Sequence, residues 1–109
     1  MSEDVLQRLA ALIHSRRGEE AAKSYTSELL LAGTERCAKK LGEEATEIII
    51  AALGPDTVAL KREAADLLYH LIVLLESRGV TLAEVLAELD QRIGTSGHAE
   101  KAARKPKAP

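Results

Sequence analysis

Carboxylate side chains recur at helical spacing in two separate stretches of this sequence. The first stretch holds Glu43, Glu44 and Glu47, and the second holds Glu63 and Asp66. Residues three or four apart share one face of a helix, where two like charges repel by roughly 0.2–0.5 kcal/mol even in solvent. Both stretches lie in apolar, helix-favouring sequence. Because a cation held between the acids would relieve the repulsion, we interpret the two stretches as a candidate metal site.

The type of ligand indicates Mg²⁺, with Mn²⁺ as a substitute. Carboxylate oxygens are hard ligands, and the sequence has no cluster of His or Cys at zinc-ligand spacing. Four carboxylates around one Mg²⁺ would stay negative and repel a polyphosphate, so the charge favours several ions or basic groups that close over the substrate. The alternative interpretation is a solvated helix face whose acids pair with the neighbouring bases Lys39, Lys40, Lys61 and Arg62.

The composition predicts an all-α protein with one domain. Its 109 residues include no Phe, no Trp and two Tyr, so the aromatic residues that favour strands are scarce. We expect a bundle of about four to five helices over residues 1–94 and a basic, partly disordered C-terminal tail over 95–109. Cys37 is the single cysteine, which we expect to be structural. The absence of a disulfide framework, of a signal peptide and of an apolar run of membrane-spanning length predicts a cytoplasmic protein without membrane contact.

Apolar periodicity and end signals define the expected helices. Gly18, Gly33, Gly54 and Gly79 interrupt the pattern, and we expect Thr34 to cap the second long helix. A capping box, Thr-Leu-Ala-Glu, opens the last helix. The expected helices cover residues 2–17, 24–31, 35–53, 55 or 56 to about 78, and 81–93.

The third long helix combines an apolar surface with a stripe of polar residues. It is apolar nearly all round between residues 64 and 75, which predicts packing on several sides, yet Glu63, Asp66 and His70 share one narrow stripe. We therefore expect Glu63 and Asp66 to be internal, where carboxylates must be paired, protonated or metal-bound. Ile50 lies on the acidic side of the preceding helix, so we expect that face to be covered.

Other polar residues have two interpretations each. We interpret His70 as a core histidine whose ring nitrogens are both hydrogen-bonded, with a role as a ligand or catalytic residue as the alternative. We interpret Tyr69 as a packing residue. Tyr25 precedes the acidic helices and either stacks on a base or forms a local cap. The cations and hydroxyl near the C-terminus could bind phosphate or form a solvated tail; they are Arg92, Ser96, Lys101 and Arg104.

The charge distribution indicates an anionic small molecule rather than nucleic acid as the ligand. Residues 1–91 carry a formal charge of −6 and residues 92–109 carry +4. A basic tail on an acidic body suits an anion that is brought to an acidic site. The acidic body and the scarcity of aromatic side chains for base stacking exclude a nucleic-acid-binding surface.

The two acidic motifs resemble the signature of a known superfamily. Residues 43–47, followed after fifteen residues by 63–66, match the E-E-x-x-E…E-x-x-D pattern of the all-α, MazG-like nucleotide pyrophosphatases. Within this superfamily, the sequence resembles the phosphoribosyl-ATP pyrophosphatases over nearly its whole length. The blocks that carry the resemblance are residues 24–26, 40–45, 63–70 and 92–97.

This resemblance implies a reaction and a set of roles. The reaction is hydrolysis of 1-(5-phosphoribosyl)-ATP to 1-(5-phosphoribosyl)-AMP and pyrophosphate, the second step of histidine biosynthesis, by a homodimer. Glu43 would be a further ligand or would orient the attacking water, and Lys40 would meet phosphate. Catalysis would depend on Glu43, Glu44 and Glu47. The implied metal ligands are Glu44, Glu47, Glu63 and Asp66.

Two other functions remain open at this point. A MazG-like house-cleaning pyrophosphatase that acts on a free or damaged dNTP would share the metal site and differ in base recognition. A non-catalytic helical dimerisation module would use the same acids only for solubility, and divalent cations would not stabilise it.

Overall fold

The chain forms five α-helices and one short 3-10 helix in a computed structural model that describes residues 2–94. The described residues contain no strand, which confirms the all-α prediction. The predicted tail, 95–109, lies outside the described residues. In chain order, the helices are α1 (Ser2–Ser15), the 3-10 helix (Ala21–Lys23), α2 (Tyr25–Ala32), α3 (Thr34–Leu53), α4 (Thr57–Ser77) and α5 (Leu82–Ile93).

Side-chain caps fix the starts of three helices. The Ser24 hydroxyl and the Asp56 carboxylate accept hydrogen bonds from backbone N–H groups in the first turns of α2 and α4. The predicted capping box forms at α5, where Thr81 and Glu84 each accept a bond from the other's backbone. Such a cap contributes about 1 kcal/mol because it satisfies N–H groups that the helix itself cannot.

The predicted cap at Thr34 is wrong by one residue. Gly33 is the N-cap of α3, and its φ of 99° lies in the region that favours glycine, so the turn between α2 and α3 needs a single residue. Thr34 is therefore already helical. Its hydroxyl forms a 3.0 Å hydrogen bond with the hydroxyl of Ser77, which ties the start of α3 to the end of α4.

The core lies around the C-terminal half of α4, which packs against α1, α2 and α3. This arrangement confirms the prediction of packing on several sides from His70 onward, whereas Ala65 and Leu68, earlier in the same apolar stretch, are exposed. Full burial of an aliphatic side chain contributes roughly 1.5–3 kcal/mol. The Cys37 thiol donates to the Leu29 carbonyl at 3.3 Å, and burial raises its pKa, as expected for a structural cysteine. The core residues are Ile13, Leu29, Cys37, Ile72 and Val73.

The far end of the α3–α4 hairpin, where the turn after Leu53 connects the two helices, is much more exposed than predicted. Ile49 and Ile50 are 60% and 63% exposed, so the expectation that this face is covered is wrong within one chain. The reason is that the buried residues of α4 all lie at His70 or beyond it, away from this end. None of the described helices is both long and apolar enough to cross a bilayer.

Candidate metal and nucleotide site

The α3–α4 hairpin brings three of the predicted carboxylates together. Glu44 and Asp66 are each eleven residues from Pro55 in the connecting turn, so antiparallel packing places them side by side. Glu63 lies one helical turn before Asp66 on the same face. One carboxylate oxygen from each of the three residues lies within 4.8 Å of those from the other two. We refer to Glu44, Glu63 and Asp66 as the carboxylate triad.

The carboxylate triad opens towards solvent. Glu44 and Glu63 are half-buried, whereas Asp66 is exposed, so the expectation of internal acids is correct only in part for Glu63 and wrong for Asp66. The exposure of Asp66 leaves room for water and phosphate beside the three carboxylates. Mg²⁺ generally completes its coordination with these same ligands, so the set of donors fits a hard divalent cation.

The pKa of Glu63 reflects both its partial burial and the negative charges around it. This pKa is raised by partial burial, and further by the charges of Glu44, Glu47 and Asp66 and by a hydrogen bond with the Glu44 side chain. Glu47 is not part of the triad, yet its charge reaches Glu63 from one turn further along α3. Three of the four predicted ligands therefore meet, and the role of Glu47 as a fourth stays a prediction.

We expect Glu63→Gln to stabilise the metal-free protein at neutral pH. Because the folded state raises the pKa of Glu63, its contribution to stability is full below the unfolded-state pKa and is lost as the pH rises through the raised value. Gln imitates the protonated carboxyl at every pH. The melting temperature of the variant in chelator should exceed that of the wild type at about pH 7, and the two should converge near pH 4.

The matched control for this measurement is Glu20→Gln, which neutralises an exposed acid outside the triad. It should change the melting temperature little at either pH. A Glu63→Gln variant no more stable than the wild type at neutral pH would contradict repulsion among the carboxylates.

Lys40 and Glu43 form an ion pair beside the triad. The Lys40 Nζ lies 3.0 Å from a Glu43 carboxylate oxygen, and both residues lie on α3. The pKa of Lys40 is raised most by its hydrogen bond to Glu43. The charges of Tyr25, Glu43 and Glu44 raise it further, in that order. The same bond to Lys40 lowers the pKa of Glu43. The structure thus places a permanent cation and an ionised carboxylate next to the triad.

His70 is a core histidine whose two ring nitrogens are both bonded. It is 6% exposed, with Nδ1 2.8 Å from the backbone carbonyl oxygen of Asp66 and Nε2 3.1 Å from the Tyr25 hydroxyl. Tyr69 packs edge-on against its ring and hydrogen-bonds Thr26. Both interpretations made from the sequence are confirmed. The link from His70 to Tyr25 was not predicted, since the residues lie 45 positions apart and their spacing carries no signal.

The remaining predicted substrate residues lie towards the C-terminus. Arg92, in the last turn of α5, donates from Nε and a terminal guanidinium nitrogen to Glu88 at 3.2 Å. Ser96, Lys101 and Arg104 lie outside the described residues. Phosphate binding by these four residues stays a prediction.

Comparisons with known proteins agree on one family. A family profile described as phosphoribosyl-ATP pyrophosphohydrolase matches residues 6–93. The chain is 57% identical over 100 residues to a phosphoribosyl-ATP pyrophosphatase of Cereibacter sphaeroides, covering 92% of this chain and 97% of the relative. It is 58% identical over 99 residues to that of Rhodobacter capsulatus (91% and 96%), and 55% identical over 106 residues to that of Methylobacterium radiotolerans (97% and 99%).

Proposed function

The chain belongs to the phosphoribosyl-ATP pyrophosphohydrolase family, and we propose that it hydrolyses 1-(5-phosphoribosyl)-ATP to 1-(5-phosphoribosyl)-AMP and pyrophosphate. This reaction is the second step of histidine biosynthesis. The observation that carries the proposal is the convergence of Glu44, Glu63 and Asp66. The chain that holds them matches relatives named for this activity over nearly its full length.

Mg²⁺ is the cofactor in this proposal, and Mn²⁺ is its substitute. Glu44, Glu63 and Asp66 would hold the metal, with Glu47 as a further ligand from the next turn of α3. A bound divalent cation would neutralise charge on the triphosphate and polarise the attacking water. The raised pKa of Glu63 supports this role, because partial burial and the charges of the neighbouring carboxylates both disfavour its ionised form without a cation.

The ion pair beside the triad supplies the remaining groups for phosphate chemistry. The Lys40 ammonium would donate to a phosphate oxygen of the substrate. The ionised Glu43 carboxylate would accept a hydrogen bond from the water that attacks between the α- and β-phosphates, and so orient it. The oxygen of this water joins the α-phosphate, and pyrophosphate leaves. Glu43, Glu44 and Glu47 are thus the proposed catalytic carboxylates, all on α3.

A substrate panel tests this function. The purified protein should release equal amounts of pyrophosphate and phosphoribosyl-AMP from phosphoribosyl-ATP with Mg²⁺, and neither product with chelator. Pyrophosphate release from dNTPs but not from phosphoribosyl-ATP would identify a house-cleaning pyrophosphatase instead. Release from neither substrate would favour a non-catalytic helical module.

We also propose that the protein works as a homodimer. At the far end of the α3–α4 hairpin, Ile49, Ile50 and Leu53 are 60%, 63% and 85% exposed. On α5, which packs lightly against the other helices, Leu89 and Ile93 are exposed as well. Clustered exposed aliphatic side chains of this size mark surfaces that another chain covers.

Ile50→Asp is expected to dissociate this dimer. A charge in the centre of an apolar interface would lose its hydration without gaining a counter-ion. Light scattering should give the mass of a dimer for the wild type and of a monomer for the variant. Ala22→Asp, which adds the same charge at an exposed residue of the 3-10 helix, should remain dimeric. A monomeric wild type at assay concentrations would contradict the proposal.

The basic tail is proposed to act on the substrate rather than on the fold. Residues 1–94 would form the single helical domain, and 95–109 would bring Ser96, Lys101 and Arg104 to the phosphates. A chain that ends at Gly94 should keep its melting temperature while its KM for phosphoribosyl-ATP rises by about tenfold, the effect of one or two lost charge-assisted hydrogen bonds. An unchanged KM would show that the tail is only a solvated end.

The cytoplasm is the proposed location. Cys37, the single cysteine of the sequence, is a buried free thiol, which suits a reducing compartment.

A further inference from the structure

A chain of two hydrogen bonds connects Tyr25, at the start of α2, to the turn of α4 that carries Asp66. The Asp66 backbone oxygen can only accept, so the Nδ1 atom of His70 must carry the proton that it donates over 2.8 Å. A neutral imidazole has a single N–H, which leaves Nε2 as an acceptor. The Tyr25 hydroxyl, 3.1 Å away, therefore donates its proton to His70.

The direction of these bonds determines what Tyr25 can offer a ligand. A phenol has one O–H to donate and lone pairs to accept with. Since the O–H is used by His70, the Tyr25 oxygen is left with acceptor capacity alone. Burial of the imidazole at 6% exposure keeps it in one position, so this direction does not change with solvent.

Tyr25 lies where a ligand of the triad can reach it. The residue is 44% exposed, although its ring packs against Tyr69 with the centroids 6.3 Å apart and the planes inclined by 22°. Two hydrogen bonds, through His70, join its oxygen to the backbone of Asp66, a member of the triad. The charge of Tyr25 is also among the causes that raise the pKa of Lys40, which is bonded to Glu43 on α3. Tyr25 thus lies on the α2 side of the helices that carry the triad.

We propose that Tyr25 is a hydrogen-bond acceptor for the nucleoside part of the substrate, and that His70 is the positioning residue that fixes it in this role. The inference rests on the proposed function. Phosphate groups near neutral pH offer almost only acceptors, so they would repel an acceptor-only oxygen. Hydroxyl and amine groups of the nucleoside are donors, and they complement it. Tyr25 therefore selects a hydroxyl or amine group of the nucleoside over a phosphate oxygen, next to the phosphates that Lys40 binds.

Tyr25→Phe tests the acceptor directly, because it keeps the ring and removes the oxygen. With phosphoribosyl-ATP and saturating Mg²⁺ at about pH 8, where a free imidazole is neutral, KM should rise about five- to tenfold and kcat should change by less than about twofold. The matched control is Tyr69→Phe, which removes the other phenol oxygen, bonded to Thr26. Its KM should equal that of the wild type.

Two substitutions of His70 separate positioning from packing. Gln places an amide near the position of Nε2 and can still accept from Tyr25, whereas Asn reaches only the position of Nδ1. His70→Gln should therefore keep a KM near that of the wild type. His70→Asn should raise KM towards that of Tyr25→Phe without exceeding it, because the Tyr25 oxygen keeps its lone pairs but is no longer held as an acceptor. The double variant Tyr25→Phe/His70→Asn should show no further rise, because His70 acts through Tyr25.

The outcomes distinguish this inference from the proposed function. If the wild type does not hydrolyse phosphoribosyl-ATP, the proposed function fails. If the wild type is active but Tyr25→Phe leaves KM unchanged, or if the two substitutions raise KM independently in the double variant, the inference about Tyr25 and His70 is wrong. A lower melting temperature of the His70 variants without the KM pattern would also overturn it.

Discussion

Glu44→Gln is expected to lower kcat/KM for phosphoribosyl-ATP at least about a hundredfold while the helices stay intact. Glu44 is the one member of the carboxylate triad from α3. One of its carboxylate oxygens lies within 4.8 Å of a carboxylate oxygen of Glu63 and of Asp66 on α4. An amide of the same shape has no charge with which to hold a divalent cation. Replacing a residue that only orients a metal ligand typically lowers metal affinity or activity 10–100-fold. Replacing a ligand itself should therefore lower activity further.

Asp66→Asn should give a loss of the same order, because it removes a ligand from the opposite helix. Glu35→Gln is the control on α3, since it neutralises an exposed acid in the first turn and should keep nearly full activity. Circular dichroism should show unchanged helicity in all three variants. Activity near that of the wild type in Glu44→Gln or Asp66→Asn at low Mg²⁺ would contradict the assignment of ligands.

The second large effect is expected from the metal itself. A cation that binds only the folded state, at ten times its Kd, stabilises it by about 1.4 kcal/mol. For a domain of this size, that gain raises the melting temperature by about 6–11 °C. The increase should be seen with Mg²⁺ and with Mn²⁺, because either ion offsets the partial burial and the repulsion that together raise the pKa of Glu63.

Salt controls separate binding from screening. NaCl at matched ionic strength weakens repulsion between exposed charges without occupying a site, and it should give a much smaller shift. Glu63→Gln, which is already relieved of repulsion, should melt higher than the wild type without metal and gain little when metal is added. Equal shifts with NaCl and MgCl₂ would contradict a specific metal site.

Local sequence signals predicted most of the helical framework. Glycines and caps marked the breaks between helices, and the box that joins Thr81 to Glu84 formed as expected because both bonds depend on residues three apart. The exception was Thr34, where Gly33 with its positive φ took the capping position. Helical spacing placed Glu63 and Asp66 on one face and Glu44 among the acids of α3, so the three residues of the triad were among the four predicted ligands. Which of the four would meet depended on the register between α3 and α4, which the spacing did not give.

Long-range features were beyond the sequence. The bond between Tyr25 and His70 depends on how α2 packs on α4, which no local pattern encodes. Asp66 and Ile50 were predicted to be buried, and both are exposed. Apolar and acidic patterns indicate that a helix face is to be buried, but they do not show whether the same chain or another one buries it. Glu47 illustrates the remaining gap, because spacing places it near the triad but cannot fix its side chain.

Anomalous diffraction from crystals grown with Mn²⁺ would test the metal site most directly. We predict a strong anomalous peak within about 2.5 Å of carboxylate oxygens from Glu44, Glu63 and Asp66. Crystals of protein that is active with Mn²⁺ but shows no peak at these residues, or holds the ion elsewhere, would contradict the account.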